Sequence, residues 1–469
     1  MLISSKIKNG FNGKVLIPGD KSISHRSIII PSISNGTSEI NNILWSDDVI
    51  NTLGAFKTMG VKIDKYKDNL IIDGKGLNSL KKPNKNIDLG NSGTSARLLI
   101  GLLASQKFES TLTGDSSLSK RPMERITKPL ELMGAEFQST KNLLPMKILG
   151  KDLKKINYKL VLPSAQVKSG IILAALNTSG KSIIKETKIT RNHTEIMLDS
   201  FGAEINVKKE NSENIIEING KKELSSKNIS VPSDLSSASF FIVATLINPC
   251  SKLKIDNLNL NPTRDGILKA LKIMGARINI KNKRHNAGEL IGDLEVETSE
   301  LRGCVLEKDM AKFMIDEFPI LSIAASFAKS PSIFKGLGEL KVKESNRLEL
   351  IRLNLNKCGI NCKIIEDDLY IDPSKKTNLK ENNIKTDFDH RIAMSFAVMG
   401  SKKDFNLKIG RQAQPTGAYC LALLLSGVQE LVDHLVTLCA RCQTISTVSS
   451  IPSAGVALRK ARPARPEAH

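Results

Sequence analysis

Apolar and polar positions alternate along this chain in two recurring patterns. In the first, a helical apolar stretch ends at a glycine and turns at once into a strand-like run: Met59-Gly60-Val61, Met133-Gly134-Ala135, Phe201-Gly202-Ala203, Met274-Gly275-Ala276 and Cys358-Gly359-Ile360. A glycine there predicts a left-handed helix cap, because it lacks the Cβ that makes that conformation costly. In the second, a small polar cluster opens an apolar helix, and this happens six times, from Ser22, Ser92, Ser164, Ser233, Glu317 and Asp389. Openings 69 to 84 residues apart and closing glycines 68 to 84 apart share one period, longer than that of common solenoids. Each repeat reads as about 70 residues with two helices and several short strands, an α/β unit. Six openings face five closings. The sixth closing is due near residue 430, where Leu425-Ser426-Gly427-Val428 matches poorly, so the sixth repeat reads as incomplete.

Composition changes where that repeat fails. Residues 1–409 hold 51 Lys and 12 Arg, whereas 410–469 hold one Lys, five Arg and no Asn, and end in RKARPARPEAH. We read 410–469 as an atypical tail, foreign or frame-shifted in preference to a short accessory extension. The net charge of +21 is not a tail effect, since residues 1–409 carry 63 basic against 45 acidic groups, a net of +18. A positive field points to anionic partners and leaves nucleic acid, an acidic membrane face and phosphorylated metabolites open. No apolar run reaches the ~18 residues of a membrane-spanning helix. Seven cysteines, an odd count without a secretory signal ahead of them, argue against a disulfide framework and for the cytoplasm. Cys439-Ala440-Arg441-Cys442 is a lone CxxC, read as incidental. Aromatic content of 4% and no zinc-finger, RRM or helix-turn-helix pattern speak against nucleic-acid binding.

Helix openings have chemical meaning, because free N–H groups and the positive end of the dipole attract anions. One opening alone is an ordinary cap; several carrying cations are not. Arginine is scarce in the body, so its positions mark places for a planar bidentate donor. Lys21, Ser22 and Arg26 fall within six residues. The loop Asn91-Ser92-Gly93-Thr94-Ser95-Ala96-Arg97 brings backbone near an anion without Walker spacing. Lys120-Arg121-Pro122 adds a guanidinium, Ser164-Ala165-Gln166-Val167-Lys168 gathers hydroxyl, amide and ammonium, and Thr190-Arg191-Asn192-His193 adds another Arg. The second half supplies acids: Asp316-Glu317 before an apolar helix, Glu344 and Arg347 at helical i,i+3 spacing in Lys343-Glu344-Ser345-Asn346-Arg347, and Asp389-His390-Arg391.

The ordered set GDKSISHR, LGNSGTSAR, KRPM, PSAQVKS, TRNHTE, IDEFP, VKESNR and DHRIAM resembles the 5-enolpyruvylshikimate 3-phosphate synthases, from about residue 10 to 405. The resemblance implies a two-domain inside-out α/β barrel, helices inside and sheets outside. One domain would span 20–228 with repeats one to three, and the other 1–19 plus 229–409 with repeats four to six. Chain crossings near Gly19 and Ile229 would be hinges. The implied reaction moves the enolpyruvyl group of phosphoenolpyruvate to the 5-hydroxyl of shikimate 3-phosphate, with loss of phosphate. Carried over by motif, Asp316, Glu344 and Lys21 would be catalytic. Lys21, Asn91, Gly93, Arg121, Gln166, Lys343, Arg347 and Arg391 would meet phosphoenolpyruvate. Lys21, Ser22, Arg26, Ser164, Ala165, Gln166, Arg191, Asp316 and Lys343 would form the shikimate 3-phosphate pocket. Neither metal nor organic cofactor is implied, and a cytoplasmic monomer is expected. Gly93 implies inhibition by glyphosate. Two alternatives stay open: transfer to UDP-N-acetylglucosamine, or an impaired chain. The second arises because the family's Thr-x-Phe-Pro stretch and its nearby Lys are not recognisable after Ile409.

Overall fold

The computed structural model describes residues 2–3 and 10–409, except 212, 377–380, 403–404 and 406. The expected sixth closing, the atypical tail, the lone CxxC and the Thr-x-Phe-Pro position all lie outside the described residues.

Six apolar helices form the inside of the molecule: Lys21–Ser32, Gly93–Ala104, Ala165–Leu176, Leu235–Ile247, Phe318–Ser326 and His390–Met399. All six are buried nearly all round, and the middle four are also apolar nearly all round, as a helix enclosed by other elements must be; Lys21–Ser32 carries polar side chains inward as well. Their caps are Asp20, Ser92, Ser164, Asp234, Glu317 and Asp389, so all six expected openings are present. The first begins earlier than the Ser22 cluster suggests, because the Asp20 carboxylate accepts from the Ile23 N–H at 3.0 Å and puts Lys21 and Ser22 in the first turn.

Five outer helices end at the five glycines, which have φ of +82°, +95°, +87°, +88° and +81° at Gly60, Gly134, Gly202, Gly275 and Gly359. The left-handed cap is therefore real at every repeat closing.

Five four-stranded sheets and one three-stranded sheet clothe the helices among the described residues. Their alternating burial, as in Lys181–Glu186, shows one face on the helices and one in water. Two hydrophobic clusters result. One runs from Ile23 to Val231; the other joins Phe11, Val15 and Ile17 to residues from Leu235 to Ile409. Short strands cross over between them: Asn12–Lys14 pairs in parallel with Lys252–Asn259 in the second half, and Ile229–Ser230 with Asn35–Asn41 in the first. At the crossings, Asp20 N–H donates to Pro232 O at 2.7 Å and Asp234 N–H to Pro18 O at 2.9 Å, so the two connections are zipped together. This is the two-domain α/β architecture expected, with helices inside and sheets outside.

Candidate active site

The second and third inner helices touch backbone to backbone. A Cβ on Gly101 would lie 2.0 Å from Gly170 O, so only glycine permits this approach. The contact brings their starts together and builds the first wall of the candidate site. Arg97 donates to Gly93 O at 3.1 Å and to Gln166 Oε1 at 2.8 Å, while Gln166 Nε2 donates to Thr94 at 2.9 Å. Arg121 donates to Asn91 Oδ1 at 2.6 Å, and Asn91 donates in turn to Asp115 at 2.7 Å. Asn91, Gly93, Arg121 and Gln166 thus form one group, with two guanidiniums close to Gly93. Ser164 caps its helix by accepting from Val167 N, which places Ala165 at the first position. Lys21 is ion-paired with Asp48, beside Ser22.

Asp316 organises the second wall. It is the middle residue of a 3-10 turn, Ile315–Glu317, and meets Arg347 at 3.3 Å and Lys343 at 3.8 Å; Arg391 donates to its backbone oxygen at 3.2 Å. Arg191, from the other half of the molecule, closes on it at 2.8 Å. Burial alone would raise the Asp316 carboxyl, but Arg391, Arg191, Lys343 and Arg347 outweigh it and hold the group well below the usual carboxylate range. Glu344 meets Arg347 at 2.5 Å; burial pushes it up, and Arg347 chiefly brings it below its ordinary value. Arg347 is fully buried and also donates to Asp389 at 2.8 Å.

Two sequence readings change, those of the Glu344–Arg347 pair and of Lys168. Glu344 and Arg347 do not share a helix: Asn346 is the cap, the helix begins at Arg347, and Glu344 lies ahead of it with its side chain 55% exposed. Their pairing is the anchoring of a buried guanidinium rather than a surface i,i+3 pair. Lys168 does not join Ser164 and Gln166. One turn farther on it faces inward, with no exposure, between Glu186 at 3.1 Å and Glu195 at 2.7 Å. Arg26 is buried, and its donors reach Thr194 at 2.6 Å, Ser169 at 2.8 Å and Ser22 O at 2.8 Å, tying three helices together.

A protein-family model, EPSP synthase (3-phosphoshikimate 1-carboxyvinyltransferase), matches residues 6–414. The chain belongs to the EPSP synthase family. It is similar to the 3-phosphoshikimate 1-carboxyvinyltransferase of Alkaliphilus oremlandii, 44% identical over 400 residues covering 85% of this chain and 92% of that protein. That of Oenococcus oeni is 46% identical over 398 residues, covering 84% and 90%. A solved EPSP synthase from Acinetobacter baumannii superposes with a TM-score of 0.82 at 41% identity, covering 91% of this chain and 99% of that one. An acceptor other than a phosphoshikimate is not favoured by these relatives.

Within this EPSP synthase fold, sequence reasoning missed residues that hold the site from behind. Arg97 stands in a motif quoted for its glycine, yet its guanidinium is what joins that loop to Gln166. Arg264, 5% exposed, reaches Asp20 and Asp234, the caps on either side of the crossings. Both are among the scarce arginines, and that scarcity was the available signal.

Among the described residues no helix is long and apolar enough to cross a membrane, and no group of three or more His, Cys, Asp or Glu is arranged to hold a metal ion.

Proposed function

We propose that this chain transfers the enolpyruvyl group of phosphoenolpyruvate to the 5-hydroxyl of shikimate 3-phosphate and releases phosphate. The observation that carries the reading is Asp316, a carboxylate held between Arg191 of one half and Lys343, Arg347 and Arg391 of the other. Two polyanionic substrates require such a concentration of cations, and an attacking hydroxyl requires a base among them. In this arrangement the cations hold Asp316 too acidic to be a strong base. Substrate phosphate and carboxylate groups, by taking those cations, would restore its proton affinity when the hydroxyl is in place.

The roles are those that membership of the EPSP synthase family suggests for the matching motif residues. Asp316 accepts the hydroxyl proton. Glu344 and Lys21 carry the proton that adds to C3 of phosphoenolpyruvate and later leaves it, so that phosphate departs from the tetrahedral adduct. Arg121, Asn91, Gly93 and Gln166 receive phosphoenolpyruvate on the first wall, with Lys343, Arg347 and Arg391 opposite. Ser22, Arg26, Ser164, Ala165 and Arg191 receive shikimate 3-phosphate, with Lys21, Gln166, Lys343 and Asp316 shared. The domains would be 20–228 and 1–19 plus 229–409, closing about Gly19 and Ile229. We read the enzyme as a cytoplasmic monomer using no cofactor.

The purified chain, given phosphoenolpyruvate and shikimate 3-phosphate, should release phosphate and form an enolpyruvyl ether visible by NMR. Phosphate release with UDP-N-acetylglucosamine instead, or with neither acceptor, would overturn the reading.

A further inference from the structure

A turn over residues 261–264, outside every motif above, is buried between the halves; Asn261, Thr263 and Arg264 are 1%, 8% and 5% exposed. It belongs to the second half but grips two helix cap positions of the first. Asn261 donates to Asn192 Oδ1 at 2.9 Å. Asn192 stands at the cap position of the His193–Ser200 helix, directly after Arg191, and its side chain bonds no N–H of that helix; its amide oxygen accepts from Asn261 instead. Arg264 pairs with Asp20 at 3.3 Å, and Asp20 caps the first inner helix directly ahead of Lys21 and Ser22. The turn is itself fixed. Asn261 Oδ1 accepts from the Thr263 N–H and hydroxyl, Asn261 also donates to Glu289 at 3.0 Å, and Glu289 holds His193 of the first half at 2.6 Å. Arg264 completes the anchorage through Ser236, 2.7 Å away, and Asp234.

We propose that Asn261, Thr263 and Arg264 form a positioning element that sets Lys21, Ser22 and Arg191 for shikimate 3-phosphate through Asp20 and Asn192, without touching substrate. Asp20, by capping, fixes where its helix starts and therefore where Lys21 emerges. Asn192 acts differently: its side chain is tied to Asn261, which holds the backbone next to Arg191 in place. Losing either link lets the adjacent cation drift. Most of the ligand groups affected belong to the shikimate 3-phosphate pocket, so the defect falls mainly on that substrate.

This inference rests on the proposed reaction, and the experiment separates the two. KM for each substrate, kcat and melting temperature are measured for the natural chain, Arg264→Lys and Asn192→Ala. Lysine keeps the charge but cannot bridge Asp20 and Ser236 together. Arg264→Lys should raise KM for shikimate 3-phosphate by about tenfold while KM for phosphoenolpyruvate moves by less than about threefold. Asn192→Ala, which cuts the outer link without disturbing the buried charges, should raise KM for shikimate 3-phosphate by roughly threefold. If Arg264→Lys yields no folded protein, Asn192→Ala decides alone. Equal shifts in both KM values, or no shift in folded variants, overturns the positioning element and leaves the reaction standing. No turnover by the natural chain overturns the reaction itself.

Discussion

The two halves of this molecule share a fold and present their inner helices to one cleft, yet they prepare those helix starts differently. In the first half, two of the three starts are capped by hydroxyls, Ser92 and Ser164. Beneath them runs a neutral polar chain: His25 Nδ1 lies 2.8 Å from Thr52 Oγ1, which is 2.5 Å from Ser95 Oγ, itself 2.6 Å from Ser92 Oγ. Burial first, and then the Lys21 charge, pushes the His25 ring down to about 3, so it stays neutral wherever the enzyme works. In the second half all three cap positions are acidic: Asp234 and Asp389 accept from the N–H groups of their own helices, while Glu317 bonds none of its helix's N–H groups and accepts from the Ser236 hydroxyl. A carboxylate at a helix start already occupies the place an anion would take. The first wall can therefore meet an anion with backbone N–H groups and hydroxyls, whereas the second must use side-chain cations. Its Lys343, Arg347 and Arg391 supply them. Asp20 is the first half's exception, and there Arg264 offsets the charge.

The comparison breaks most visibly at Asp316. Asp316→Asn removes the one anion facing Arg191, Lys343 and Arg347 together, along with the proposed base. We expect kcat to fall by roughly 10²–10⁴-fold, the range typical of a lost general base. Because those cations hold the carboxyl low in the substrate-free protein, it stays ionised well into acid there, and its protonation should cause no loss of kcat/KM between pH 5 and 7. Rates at saturating substrate check the first point and kcat/KM across pH the second; a variant retaining a tenth of the natural kcat would remove Asp316 from the chemistry.

The first wall is sharpened at Gly93. A Cβ there would stand 2.9 Å from an Arg97 nitrogen and 3.2 Å from an Arg121 nitrogen. Both are ends of flexible side chains, so Gly93→Ala displaces guanidiniums without unfolding the loop. KM for phosphoenolpyruvate should rise by about tenfold, equivalent to ~1.4 kcal/mol, and glyphosate inhibition should weaken with it. An unchanged KM with undiminished inhibition would show that the two guanidiniums do not line that substrate's site.

How far the sequence reaches follows the same division between local and distant causes. The five glycine caps and six helix openings are legible because each depends on a few consecutive residues: a φ of +95° at Gly134 or +88° at Gly275 needs nothing from elsewhere. The two-residue strand Ile229–Ser230 carries no pattern, and its pairing with Ile40 and Asn41 depends on residues 189 apart. Motifs also named the cleft's charged residues without naming their contacts. Arg191 and Asp316 are separated by 125 positions, and their 2.8 Å approach is a property of the crossings. Lys168 shows the converse error: within PSAQVKS it reads as a further cation at the helix start, yet Glu186 and Glu195, contributed by a strand and another helix, make it a buried counter-ion.

The smallest expected effect tests whether acidic caps also distinguish the second half in solution. Burial, and next the charge of Asp20, pushes the Asp234 carboxyl up to about 6, against the ~3.9 expected of an unfolded Asp. The folded protein therefore holds this proton more tightly than the unfolded chain does. The resulting stabilisation is complete below about pH 4 and is lost as pH rises through about 6. Asp20 works in the opposite sense. Burial would raise it, but Arg264 and the Ile23 N–H bring it below its ordinary value, so its contribution disappears only as pH falls through that lowered value. Between pH 5 and 7 the Asp234 effect is the one that changes. Asp234→Asn retains a competent cap, since Asn ranks with Asp there, and deletes the titration. The natural chain should lose on the order of 1–2 kcal/mol of stability relative to this variant across that interval, read from urea unfolding at each pH. Parallel curves would mean that Arg264 shares its charge evenly between Asp20 and Asp234, and that the second half's acidic cap at the crossing is as indifferent to pH as the hydroxyl caps of the first.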